Sequence, residues 1–487
     1  MTAPSVDVAA VRGWIRRTQW AHRSRSETAG TVYFALLFAL VVGGMVHRPV
    51  AAVFWPAAPD ASRLAGASLV AAGAGILLLA MRRLGPLGLS RPAASWLLPA
   101  PVSRRRLLAP SLWLATALAA GSGALLGVAA AGHVLGRPGP GAVTTLVGAL
   151  AGVLLLHVAL AAQAGHGWPV LVDHLAVLLA AAGLAGFVVG AAVEVPPAAV
   201  EWHPSAAVVT AGILAVVNAV LLALAVGRLA ATPNERILES ATTFGTLLDS
   251  AFGVEPSFVT DMLERRYWAR RRLRSVRLWA RVPVLVAQDL LLVRRRPRRL
   301  MLLAGAVALP ALFAHAPRVL LAAAILIGGM VAATVPAANI RTDAANPVML
   351  RLLGMDWRRA IAQRLWVPAV LAGTWYAASL ALLHVLGDLP GGPWAALGPA
   401  LAPVAAVAAV RKARVGMVRN ELLPVDTPMG TLSPGPLLSS VVGPDALLLG
   451  LPTVIQVGGG SPLSWTTVLV QAAVSVIAAR AYVSAAR

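Results

Sequence analysis

The residues able to carry proton, metal or phosphate chemistry are few, and none forms a catalytic constellation. A phosphate-cradling loop needs Gly-x-x-x-x-Gly-Lys, and the only lysine in the chain, Lys412, follows Arg411. The chain is therefore expected to bind no nucleotide or other cofactor and to be no enzyme. His-Glu-x-x-His does not occur, and the nine histidines lack metal-ligand spacing, which argues against a metal site. Zero cysteines exclude disulfides, iron–sulfur clusters and thiol catalysis. Asp60, after Pro59, reads as a solvated loop residue, with a lone catalytic acid as the chemical alternative. Asp173, after Trp168-Pro169, and Asp445, after Pro444, stand near the starts of apolar runs. A carboxylate inside a membrane is costly, so one reading is a proton or substrate site. The other is an acid in the first turn of a helix, complementing its dipole at headgroup level, and the position near a span end favours it. His157, Asn218, Gln456 and Gln471 lie deeper and read as interhelical hydrogen-bonders.

The elements that must position these groups are membrane spans. With 58% apolar and 12% charged residues, the 487-residue chain reads as an all-α polytopic membrane protein. Apolar stretches predict spans 1 to 6 at about 30–46, 64–81, 108–135, 142–164, 170–193 and 205–229. Spans 7 to 12 fall at about 300–316, 319–338, 366–386, 393–410, 441–457 and 464–483. Each approaches or exceeds the ~20 apolar residues that cross a bilayer. An arginine- and tryptophan-containing stretch, 8–25, precedes span 1 as a short helix on the inner leaflet. The division is a first half over 1–230, a basic connector over 231–281 and a second half over 282–487.

Charge placement orients this scheme. Of the 41 basic residues, all but Arg48, Arg63, Arg137 and Arg318 fall on one side if both termini are cytoplasmic and the spans number twelve. The connector is the densest part, with Arg265, Arg266, Arg270, Arg271 and Arg272 among its cations. Its alternation with Leu, Val and Trp suits an interfacial helix beside membrane lipids better than a nucleic-acid-binding arm. The formal net charge of +22 is thus a matter of sidedness, in a bacterial plasma membrane. The halves also echo each other. After span 2 the chain reads Leu97-Leu98-Pro99-Ala100-Pro101-Val102-Ser103-Arg104-Arg105-Arg106. After span 8 it reads Leu352-Leu353-Gly354-Met355-Asp356-Trp357-Arg358-Arg359. Each is a Leu-Leu pair, a turn-forming patch and a basic cluster ahead of the next span, so the halves are expected to be two parallel six-helix repeats. Gly123-x-x-x-Gly127 and Gly186-x-x-x-Gly190 predict close helix packing.

An interfacial helix before the first span, a cytoplasmic helical segment between the second and third, and a non-spanning outer loop between the fifth and sixth resemble the permease of type-2 ABC transporters. The stretch Leu98–Leu108 is similar to that family's cytoplasmic segment, and Gln288-Asp289-Leu290 followed by Arg294–Leu300 to the lead-in to its first span. The resemblance covers nearly the whole chain, as two permease units fused, through degenerate motifs. It implies an exporter whose ATP is bound and hydrolysed on a separate ABC-type ATPase subunit, present in two copies. The repeated segments would be its coupling helices, through Leu97, Leu98, Arg104, Arg105 and Arg106 and through Leu352, Leu353, Asp356, Trp357, Arg358 and Arg359. A mostly apolar, uncharged interior favours a lipid, hydrophobic peptide or drug-like substrate. Two other classes stay open. A proton-coupled transporter of the major facilitator type also has twelve spans, but joins its second and third by a tight loop. A lipid-linked glycosyltransferase needs outer-face acids, of which Asp60, Glu194, Glu201 and Asp388 are the candidates on short loops.

Overall fold

Apolar helices punctuated by proline and glycine make up this chain. A computed structural model describes residues 63–100, 102–135, 141–164, 168–192, 204–242, 281–314, 316–415, 425–427, 430–432 and 441–486, with scattered positions among 10–55. Two compact units emerge, Met1–Leu248 with Asp426–Gly430, and Asp249–Val425 with Thr431–Arg487.

In the first unit, α1 (Arg63–Leu84) is followed by the short α2 (Arg91–Leu97). Ser90 caps α2 by accepting from the Ala93 amide at 3.4 Å, with proline at its first turn. Then come α3 (Arg104–Ala130), closed by a π turn over Ala131–Leu135, α4 (Gly141–Ala164), α5 (Pro169–Ala192) and α6 (Pro204–Arg228). The helix α1 packs on α5, α3 and α4; α4 packs in turn on α3 and α6.

The second unit opens with α7 (Val284–Arg294) and α8 (Pro297–Ala306), the latter followed by a 3-10 turn over Leu309–Phe313. Next are α9 (Arg318–Ala333), α10 (Ala337–Ala345), α11 (Pro347–Leu352), α12 (Trp357–Arg364), α13 (Trp366–Val385) and α14 (Leu397–Val415). A 3-10 segment (Pro444–Gly450), α15 (Leu451–Gly459) and α16 (Trp465–Ala485) complete the unit. Here α9 packs on α13, α14 and α15, and α14 packs on α13 and α16. Numbered as spans, both units therefore pair second with third, fourth and fifth, and fourth with third and sixth.

Among the described residues, eight helices are long and apolar enough to cross a membrane, and the pair α9–α10, bent by 64°, is a ninth if counted as one span. The protein is a polytopic α-helical membrane protein. Four expected spans are described only in part or look different, among them 319–338, which breaks at the α9–α10 bend. Ten of the seventeen positions of 30–46 are described and all ten are helical, while most of 8–25 and most of the connector lie outside the described residues. Span 7 is two short pieces, because Pro310 lacks an amide to continue the ladder of α8. Span 11 is a 3-10 segment joined to a nine-residue helix, with Gly450 and Pro452 at the joint. Gln471 of α16 holds that joint, accepting from the Thr453 hydroxyl at 3.0 Å and donating to Leu449 O at 3.1 Å.

The units are held by different packing devices. Gly123 and Gly127 of α3 face Gly148 and Gly152 of α4, and a Cβ on Gly148 would lie 2.6 Å from the Gly127 Cα. In the same way Gly183 of α5 abuts α1, where a Cβ would meet Ser68 O at 2.6 Å. Backbones this close gain dispersion contact without ordering long side chains. In the second unit Gly328 and Gly329 of α9 instead receive the rings of Trp375 and Tyr376 of α13. The Trp375 indole donates to Leu303 O at 3.2 Å, and the Tyr376 hydroxyl to Leu326 O at 2.9 Å. The hub is α14, 72% of whose apolar window is buried, against 11% for α6.

Candidate functional site

In each unit a charged helical segment leads into the third membrane helix, and these segments carry the residues singled out from sequence. In the first unit α2 and the start of α3 sit on a small core of Leu87, Leu89, Leu98, Leu107, Leu108 and Ile237. Leu98 is thus buried within its own unit and half-buried Leu97 packs against the same cluster, so neither presents a free apolar face. Arg104 donates to Asn234 Oδ1 at 2.6 Å and to Ala230 O at 3.3 Å, and Arg105 donates to Gly227 O at 3.3 Å. Both therefore tie α3 to the chain leaving α6. Arg105 and Arg106 lie exposed. Gln163 of α4 completes the mount, accepting from the Leu87 amide at 3.3 Å and donating to Ser240 Oγ at 2.9 Å. The outward group is one the sequence reading passed over, Trp96, 78% exposed on α2.

In the second unit, Gly354 at φ +65° turns the chain between α11 and α12. Asp356 caps α12 by accepting from the Arg359 amide at 3.2 Å. Leu352 and Leu353 are 77% and 56% exposed. Trp357 is half-buried beneath the Arg414 guanidinium, 4.9 Å from its ring centroid, and Arg414 also donates to the Tyr482 hydroxyl at 3.1 Å. Arg358 donates to Ala486 O at 3.2 Å, while Arg359 faces outward. Only Leu365 separates α12 from α13, so the exposed segment and the membrane helix form one nearly continuous rod, Trp357–Val385.

The base of that rod is locked by a buried ionic cluster. Arg364, 2% exposed, pairs with the fully buried Asp289 of α7, and its Nε meets Asp343 Oδ2 of α10 at 2.8 Å. It also donates to Gln288 Oε1 at 2.8 Å and Leu285 O at 3.2 Å, while Asn339 donates to Asp289 Oδ1 at 2.7 Å. Burial pushes the Asp289 carboxyl up to about 6, against the pull of Arg364 and the Asn339 hydrogen bond. Three helices thus converge on one guanidinium, whose planar fork suits such a junction. Gln288 and Asp289 were visible in sequence as a lead-in motif, but their partner lies 75 residues away from Asp289.

Asp173 belongs to the first unit and Asp445 to the second. Asp173 pairs at 3.1 Å with Arg82, in the last turn of α1. Asp445 pairs at 2.8 Å with Arg411 of α14 and accepts from the Gly443 and Ala446 amides at 2.9 Å. Each carboxylate sits in the first turns of its helix, beside an arginine closing a neighbouring one. Of the four deeper polar residues, Asn218, Gln456 and Gln471 bond across helices, Asn218 by donating to Leu150 O at 3.0 Å. His157 Nδ1 bonds Val153 O of its own helix at 2.8 Å, and Gln456 bonds the turn after α15 and Thr467 of α16. Among the described residues no group of three or more His, Asp or Glu side chains is placed to hold a metal ion.

Residues 58–415 match a family of unknown function, DUF6297, and the chain belongs to that family. No curated protein and no solved structure matches it.

Proposed function

We propose that this protein is the membrane-spanning permease of an ABC-type exporter, without catalysis of its own, driven by ATP hydrolysis on a separate ATPase subunit. The observation that carries the reading is the rod Trp357–Val385. Its exposed end carries Arg359 and is preceded, across the Gly354 turn, by exposed Leu352 and Leu353, and its base is clamped by Arg364. A helix transmits displacement along its axis with little loss, so force delivered at α11–α12 reaches the membrane helix directly. The matching segment of the first unit, with Trp96 outermost, supplies a second such point, suited to a partner of two ATPase copies. The shared order of helix pairing supports two six-span repeats in a twelve-span chain of the bacterial plasma membrane with both termini cytoplasmic. The missing members are the stretch 30–46, the broken helix at 297–313 and the joined segment 444–459. A structured α2 between the second and third membrane helices also sets this chain apart from the tight loop of major facilitator transporters.

The test is co-purification with the ATPase and transport in vesicles. Replacing Leu352 and Leu353 by Ala, or Trp96 by Ala, is expected to weaken ATPase capture by about 2 kcal/mol or more, over tenfold, with insertion intact. Export should need ATP and survive collapse of the proton gradient. Wild-type ATPase capture by both variants would sink the assignment.

A further inference from the structure

In the first unit, α1, α3, α4 and α6 line a half-open cavity of about 330 Å³. Val70 and Ala74, Leu126 and Ala130, Ala151 and Ala207 form its walls. Only two lining side chains are polar, and both hydroxyl protons are already donated to carbonyls of their own helices. Thr144 donates to Gly141 O at 3.0 Å and Thr210 to Ala206 O at 2.8 Å. A drug-like or peptide ligand would bring polar groups that these side chains leave without partners. Water is held poorly there, since an ordered water makes about three hydrogen bonds and these walls are almost wholly apolar. An empty void would forfeit dispersion contacts around its whole wall. Hydrocarbon is the one occupant that satisfies all three conditions. The volume lies at the low end of the ~300–1,000 Å³ typical of small-molecule pockets, which fits one chain and not an entire lipid.

The place in the fold agrees. Thr144 and Thr210 belong to the first turns of α4 and α6, and Val70 lies twelve residues before Arg82 on α1. The cavity thus lies toward the helix ends opposite the arginine-rich segments. One wall belongs to α6, the most exposed membrane helix, whose neighbouring Val208 and Val209 are more than half exposed. We infer that this cavity holds one acyl chain of a membrane lipid, bound between the helices of the first unit. The inference rests on the membrane character of the chain and not on ATPase coupling.

The experiment uses the full-length protein in membranes of cells fed a diazirine-bearing fatty acid, irradiated before extraction, with the labelled positions mapped by mass spectrometry. Cross-links are expected to concentrate on 126–130, 147–155 and 207–210. Ala151→Phe should reduce that labelling about tenfold, about 1.4 kcal/mol, and leave labelling at Ile213 and Val216 unchanged. If Ala151→Phe does not fold, Ala74→Val on the opposite wall and the wild-type map decide. Labelling no denser at the cavity than at Ile213 and Val216 would mean ordinary surrounding lipid and overturn the inference. So would a benzophenone at Ala207 that captures residues 30–46 of the same chain, because the protein would then fill its own cavity.

Discussion

The two units pair their membrane helices in the same order yet hold them together by opposite means. In the first, backbones meet through Gly123, Gly127, Gly148 and Gly152, and a 330 Å³ cavity opens beside them. In the second, Trp375, Tyr376 and Trp394 fill the core around α14, and an ionic cluster seals its charged end. Order of pairing is therefore separable from the residues that enforce it. Small-residue contacts allow helices to approach closely while leaving gaps alongside, whereas aromatic side chains and a buried ion pair leave little room for adjustment. The first unit thus combines small-residue contacts with a cavity, and the second combines aromatic filling with a buried ion pair.

The contrast is broken most forcefully at Arg364. Arg364→Leu strands Asp289 without its charge partner and should destabilise the second unit by about 3–5 kcal/mol, read as detergent-solubilised thermal unfolding. The corresponding Arg82→Gln in the first unit removes a partly exposed pair, worth about 1 kcal/mol or less. Equal losses would show that the second unit owes nothing special to its buried cluster.

A somewhat smaller effect is expected from pH. Folding raises the Asp289 carboxyl from 3.8 to about 6, so the folded state holds this proton more tightly than the unfolded chain. The resulting stability is present below pH 3.8, declines as pH rises toward 6 and is flat above. The total is on the order of 3 kcal/mol. Asp289→Asn should flatten the profile of unfolding against pH over that window, and an unchanged slope would place the proton elsewhere.

Smallest is the change that sharpens the glycine contrast. Gly148→Val pushes a side chain into α3 and should cost about 1–3 kcal/mol. Gly212→Val on α6 meets open space and should stay within about 0.5 kcal/mol. Indistinguishable variants would remove the zipper from the account.

What sequence revealed here follows from the range of the forces involved. Apolar length needs only local residues, so the run read as 142–164 emerges as Gly141–Ala164 and that read as 464–483 as Trp465–Ala485. Breaks were harder, since Pro310, Gly450 and Pro452 interrupt runs that are apolar throughout. Of the α3–α4 glycines only Gly123-x-x-x-Gly127 was singled out, although Gly148-x-x-x-Gly152 carries the same spacing. The Arg364 cluster was out of reach, because Arg364 reads locally as one more anchoring cation. What distinguishes it is the arrival of α7 and α10 around it, and Trp96 likewise becomes conspicuous only once Leu98 turns inward.

The bend after α9 has a consequence for the bilayer itself. At 1.5 Å per residue, the 16 residues of α9 reach only about 24 Å before Pro336 turns the chain aside, short of the ~30 Å hydrocarbon core. Its neighbour α15 has only nine α-helical residues, after the 3-10 segment Pro444–Gly450. The second unit therefore presents a reduced hydrophobic thickness along this flank, and the surrounding leaflets must thin or tilt to meet it. The expected readout is a thermal stability that falls as the acyl chains of the surrounding bilayer lengthen.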